Sequence, residues 1–319
     1  MVFPLPVVVL PPSPSPRPAM RVETCLSPAG CEIVASPFLV GEAELGELAR
    51  RCSADWIRSL PPDVLDPAGS APVSLEILNG GRFYYCQSAW NSVHPDNPCG
   101  VLRLRARRGH ASGETHGGPA HNDEGLEEGM ELYRSEGSDW CVRLWEIPEE
   151  LGLTGPVLVG DTIGTGTTLA GVLGWLTEKM AAASCVQDVH VFTIAGAAAW
   201  GTDGGALKKL APVDEALAAH GRQLTVTFCN ARFALQANGT DLSPCPGLGA
   251  VWLPEALRLV TEKLGDAAFL GRLKCAVWDW GDRFEREGQG DREGPRHHLA
   301  EVKEYFEAQE GCPKYILDG

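Results

Sequence analysis

The stretch VLVGDTIGTGTTLAGVLGWL, residues 157–176, limits the fold more than any other part of the chain. An apolar run stops at one carboxylate, Asp161. A loop of glycine and threonine follows, and then an amphipathic run begins. That order predicts a buried strand, a turn and a helix over 169–183. The same alternation recurs on both sides of it. VSLEIL (73–78), GVLRLRARR (100–108), DVHVFTIAG (188–196) and QLTVTFC (223–229) have strand patterns. Residues 42–59, the segment RFYYCQSAW and residues 213–220 have helical ones, with Pro61 and Pro62 ending the first. Strands alternating with helices predict an α/β fold, a mainly parallel doubly wound sheet covered on both faces. WCVRLWEI (140–147) alternates again and is expected to pair back on 100–108 as a hairpin. Residues 230–255 have no regular pattern, and 255–275 and 297–309 have helical spacing.

Domain organisation follows from composition. Residues 1–20 are proline-rich and predict a disordered extension, and their apolar run, Val7 to Leu10, is too short to cross a membrane. Residues 21–255 form one expected domain, with 256–319 as a helical extension packed on it. Residues 109–138 are rich in Gly, His, Glu and Ser and predict a long mobile loop. The net charge of −15 repels phosphate backbones, which argues against nucleic acid as a partner. It leaves room for a local anion site built from backbone N–H groups. The 11 cysteines include no CxxC pair, which argues for reduced thiols in a cytoplasmic protein rather than structural zinc or a disulfide scaffold. No membrane partner is expected.

The Gly/Thr loop is not either of the two commonest nucleotide loops. A P-loop needs Gly-Lys-Ser/Thr, and no lysine is present; a dinucleotide fingerprint needs a third glycine where Leu169 stands. What remains is a helix N-terminus with free N–H groups. Gly166 lets the backbone approach an anion, and Thr165, Thr167 and Thr168 add hydroxyls. Asp161 can accept hydrogen bonds from sugar hydroxyls. The plainer alternative is a capping turn with Thr165 as the cap.

At these residues the chain resembles the type I phosphoribosyltransferases, whose hallmark is an apolar strand, an acidic pair, a short apolar step, a Thr/Gly loop and a helix. The resemblance spans about residues 40–255. It implies a fold with a flexible loop and a hood, and a loop of Thr165, Gly166, Thr167 and Thr168 holding the 5-phosphate of phosphoribosyl pyrophosphate (PRPP). It implies Asp161 as the catalytic, sugar-orienting acid and as the metal contact, through Mg2+ on the sugar. LEILNGGRFYY resembles the family's pyrophosphate loop, with Asn79, Gly80 and Gly81 offering N–H groups and Arg82 adding charge; in the family this turn often holds a cis peptide. Residues 109–138 sit where the family carries its flexible catalytic loop, implying contacts from Arg107, Arg108, Ser112 and Thr115. Arg103, Arg105 and Arg107 share one strand face beside it, where they form either a cationic edge or a solvated face. Residues 228–245 stand at the hood, with Phe233 for base stacking and Asp241 for magnesium pyrophosphate. The implied reaction moves a phosphoribosyl group from PRPP to a nucleobase-type acceptor and releases pyrophosphate, in a protein that is commonly a homodimer.

Two positions depart from the family. Gly160 replaces the first acid of the pair, and Gly164 stands where enzymes acting on 6-oxopurines carry an aspartate. These departures support a second reading: a non-catalytic nucleotide or PRPP sensor, or an interaction module, on the same fold.

Overall fold

A computed structural model describes residues 20–264, except 37, 63, 65–69, 111–129, 135–139, 195, 200–204 and 235–250, together with 283, 284, 295, 299, 300, 303, 304 and 307. Ser112, Thr115, Asp241, the N-terminal extension and most of the C-terminal one lie outside the described residues. So do the side chains of Asn79, Arg108 and Phe233.

In chain order the elements are β1 (Arg21–Cys25), α1 (Pro28–Ala35), a wide helical turn (Glu42–Gly46) running into α2 (Glu47–Ser59), β2 (Val73–Ile77), the one-turn helix α3 (Leu78–Arg82) and α4 (Cys86–Val93). The antiparallel arm follows: β3 (Gly100–His110), β4 (Glu131–Arg134) and β5 (Trp140–Trp145). The second half holds β6 (Val157–Gly160), α5 (Thr167–Ala182), β7 (Val189–Thr193), β8 (Ala197–Ala199), α6 (Ala206–Ala219), β9 (Leu224–Cys229), β10 (Ala231–Ala234), β11 (Val251–Trp252) and α7 (Pro254–Leu264).

The main sheet has the order β1-β9-β7-β6-β2-β3-β5-β4. From β1 to β3 every neighbour is parallel; β5 then runs antiparallel between β3 and β4. The central strands β2, β6, β7 and β9 are buried throughout because both of their faces are covered. Val157, Val159, Val189, Val191, Leu224 and Val226 point to one face, where α5 and α6 pack. Leu158, Phe192 and Cys229 point to the other, against α1, α2 and α4. Trp56 of α2 stacks on Phe192 there, ring centroids 4.8 Å apart. Among the described residues the arm is covered on one face. Leu102, Leu104 and Ala106 are buried, while Arg103 and Arg107 are exposed, the alternation that the sequence predicts for this strand.

Several expectations change. Residues 109–138 are not all loop: Gly109 and His110 extend β3, and 131–134 form β4. The predicted hairpin pairs as expected, Arg105 opposite Trp145, but β4 also joins β5 on its other edge. Residues 230–255 are not irregular throughout. β10 pairs with β11 and β8 in a second small sheet, with Phe233 opposite Ala197. Among the described residues no helix is long and apolar enough to cross a membrane.

Candidate functional site

β2 and β6 are parallel neighbours, with Val73 opposite Val157 and Leu75 opposite Val159. From β2 the chain winds outward to β3; from β6 it winds the other way, to β7 and β9. The strand order therefore reverses between β2 and β6, and the loops at their carboxyl ends splay apart to leave a crevice. Both predicted anion loops leave the sheet at this point. The sequence pattern locates each loop, and the topology brings them together.

The loop after β6 is held at both ends. Asp161 N–H donates to Phe192 O at 3.0 Å, and Ile163 bridges to Gly196. Gly166 has φ +75°, the left-handed region that favours glycine. A Cβ there would lie 2.8 Å from Ala206 Cβ, so the start of α6 packs directly on the turn. Gly166 is also the N-cap of α5, and as a glycine it brings no capping side chain of its own. The cap position expected at Thr165 falls one residue later, at Gly166. The Thr165 hydroxyl meets Thr167 Oγ1 at 3.2 Å instead. Thr167 is buried, Thr168 half-buried, and Leu169 and Ala170 anchor the first turn in the core. The N-terminal end of a four-turn helix thus faces the crevice end of the sheet.

A cation also reaches this loop. Lys209 of α6 donates from Nζ to Thr167 Oγ1 at 2.7 Å. No sequence motif marks it: it comes from the next helix, and only the packing of Ala206 on Gly166 brings it close.

Asp161 is half-buried, and its Oδ1 accepts from Thr162 N–H at 2.8 Å. Burial pushes its carboxyl up to about 7, and the Thr162 N–H, which favours the ionised form, opposes that rise. Near neutral pH it can therefore take up or release a proton.

Gly160 has a steric reason. A Cβ at 160 would overlap Tyr84 Cβ and lie 2.7 Å from Cys86 Sγ. No carboxylate side chain fits there, so the crevice has one acid from this strand. Tyr84 fills the place and ties the two loops together. Its hydroxyl meets Thr162 Oγ1 at 3.0 Å and accepts from Ile194 N–H at 3.3 Å. Gly164, the other departure, points into open space.

The turn after β2 is a single helical turn rather than an open loop, and among the described residues there is no cis peptide. Gly80 faces open space. Gly81 is buried, and a Cβ on it would press on Gly160 O at 3.2 Å. The carbonyls of Gly80, Gly81 and Arg82 accept from Phe83, Tyr84 and Tyr85 N–H in turn. Tyr85 then breaks the helix with φ +54°, so RFYYCQSAW is not one continuous helix. Arg82 is exposed, its guanidinium 5.1 Å from the Phe83 ring centroid.

β3 runs past the end of β2, carrying Arg105, Arg107 and Arg108 alongside this turn. Arg103 pairs with Glu76 at 2.7 Å and Arg105 with Glu146 at 3.0 Å. Those two have carboxylate partners, and Arg107 is exposed on the same face.

Among the described residues no group of three or more His, Cys, Asp or Glu could hold a metal ion. A separate cavity of about 320 Å³, lined by Glu131, Trp175 and Lys179 among others, lies about two turns along α5 from Thr167. It is not part of this crevice.

No protein-family model matches the chain, and no curated protein sequence does. Among solved structures, the adenine phosphoribosyltransferase of Saccharomyces cerevisiae, complexed with an imino-altritol bisphosphate and adenine, is similar at 14% identity and a TM-score of 0.26. The match covers 46% of this chain and 68% of that one. The adenine phosphoribosyltransferase of Trypanosoma brucei, in complex with AMP, pyrophosphate and ribose-5-phosphate, is similar at 13% identity and a TM-score of 0.34, over 73% and 93%. At these scores the likeness fixes neither substrate nor mechanism. Any functional reading rests on the geometry of the crevice.

Proposed function

We propose that this protein binds PRPP with Mg2+ and transfers its phosphoribosyl group to a nucleobase-type acceptor, releasing pyrophosphate. The observation that carries the reading is the meeting of two loops at the switch point between β2 and β6: a Gly/Thr helix start with a lysine beneath it, and a Gly-Gly turn beside an arginine-bearing strand. One loop suits a phosphomonoester, and the other a pyrophosphate.

On this reading the N–H groups of α5 and Lys209 hold the 5-phosphate. Residues 79–82 hold the pyrophosphate through backbone N–H groups and Arg82. Asp161 lies between them and orients the ribose by accepting from its hydroxyls. It would hold magnesium through those hydroxyls, and that ion's chemistry is charge neutralisation on the departing pyrophosphate. Bond breaking leaves a cation-like sugar, so the chain acts mainly by positioning and by electrostatics. Ser112, Thr115, Phe233 and Asp241 remain proposed contacts in the flexible loop and hood. A homodimer and a cytoplasmic location belong to the same proposal.

The test is pyrophosphate release from PRPP and Mg2+ across a panel of nucleobases. Release with one base and none without it is the expected result. Calorimetry showing no PRPP binding by the folded protein would sink the proposal. One observation favours the second reading, a sensor: Tyr84 occupies the space of a second acid. A sensor would bind PRPP or a nucleotide and release no pyrophosphate with any base.

A further inference from the structure

Arg283 and Phe284 lie well beyond α7 in sequence, yet both are fully buried. Arg283 is anchored by carbonyls. Its Nε donates to Leu39 O at 3.0 Å, and its Nη2 donates to Ser36 O at 2.7 Å and Leu39 O at 2.8 Å. Its own carbonyl accepts from Gly41 N–H at 2.8 Å. A guanidinium is buried only where hydrogen bonds replace its water, so this segment is docked at a specific place. The Phe284 ring lies 4.1 Å from the Phe83 ring at 4°, fully stacked, and 6.4 Å from Tyr85.

Phe83 and Tyr85 are the residues whose N–H groups hold the carbonyls of Gly80 and Arg82. The Phe83 ring also carries the Arg82 guanidinium. A continuous set of contacts therefore runs from the Ser36 and Leu39 carbonyls through Arg283, Phe284 and Phe83 to the cation and backbone of the turn after β2.

The structure assigns Arg283 and Phe284 a positioning role. They brace the Leu78–Arg82 turn from behind, so this pair supports the site from outside it. The chemical consequence, which rests on the proposed use of this turn, falls on the pyrophosphate half of the ligand and spares the 5-phosphate half. The two halves leave the sheet from different strands, and the ring partners of Phe284, Phe83 and Tyr85, both follow the Leu78–Arg82 turn.

The experiment uses the full chain with Phe284→Leu, which stays apolar but loses the ring stack, and Phe284→Ala as the stronger change. Amide hydrogen exchange is read over 78–85, with 167–182 as internal reference, and calorimetry is run with pyrophosphate and with ribose 5-phosphate, each with Mg2+. With Phe284→Leu, exchange over 78–85 should quicken about tenfold while 167–182 holds. Pyrophosphate affinity should fall about fivefold, the scale of one aromatic pair, with ribose 5-phosphate within about twofold. Unchanged exchange over 78–85, or an equal rise in both segments, overturns the inference. So does an equal loss of affinity for both ligands. If the unaltered protein binds neither ligand, the functional proposal fails, and the exchange comparison still decides the brace.

Discussion

Replacing Asp161 with asparagine should inactivate the protein and stabilise it at once. The carboxyl is pushed from 3.8 up to about 7 by burial. Below about pH 4, folded and unfolded chains both hold the proton, and no penalty exists. Between pH 4 and 7 the folded protein keeps a proton that the unfolded chain releases, so stability falls as pH rises. Above about pH 7 both states are ionised and the penalty is constant. The full displacement corresponds to about 4 kcal/mol. Asp161 is only half-buried, and solvent screening brings the expected figure nearer 2 kcal/mol. Asparagine keeps an oxygen that can accept from Thr162 N–H, so little else is lost. Urea unfolding followed by tryptophan fluorescence at pH 4, 6 and 8 measures it. Asp161→Asn should match the unaltered protein near pH 4 and exceed it by about 2 kcal/mol at pH 8. A stability difference that does not change with pH refutes the buried-carboxylate argument. Retained turnover in the variant refutes the sugar-orienting role.

Three other perturbations test the rest of the crevice. Lys209→Ala should weaken ribose 5-phosphate binding by roughly tenfold to a hundredfold by calorimetry, the scale of one hydrogen bond to a charged group, whereas the exposed neighbour Lys208→Ala should not. Gly160→Ala should destabilise by about 2–3 kcal/mol by overpacking against Tyr84 and Cys86, seen as a lower urea midpoint at unchanged slope; Gly160→Asp should cost more and should not improve PRPP affinity. Tyr84→Phe should cost about 1–2 kcal/mol in thermal unfolding, because the Ile194 N–H loses its acceptor and Thr162 its partner.

The elements legible in the sequence are those whose burial repeats regularly. β2, β6, β7 and β9 are rich in apolar residues and buried on both faces, and β3 alternates apolar with arginine. β1 gives no such signal, because Arg21–Cys25 is an edge strand with only Cys25 buried. α6 begins at Ala206, but Pro212 inside it moves the sequence expectation to 213. β4 is partly exposed along its length, so it merges with the polar stretch around it. The Gly-Gly pair at 80–81 suggests a break; anchoring of Phe83, Tyr84 and Tyr85 makes it a helical turn. Within the site, Asp161 and the threonine loop are readable because they are contiguous. Lys209 and Tyr84 are not, because long-range packing delivers them. The missing acid at Gly160 is visible in the sequence, and its cause is visible only in the fold.

Among the described residues β1 sits at one edge of the main sheet and pairs with β9, Arg21 opposite Thr225. Asn230 then locks the junction by bonding Ser27 in both directions. During synthesis β1 leaves the ribosome 204 residues before its partner. At roughly 5–20 residues per second, that is a wait of about 10–40 s. For that interval a strand-forming segment has no sheet to join, and β9 arrives with an open edge that another copy's β1 could occupy. A nascent chain stalled before residue 224 would therefore leave β1 exposed to chaperones or to exchange between copies.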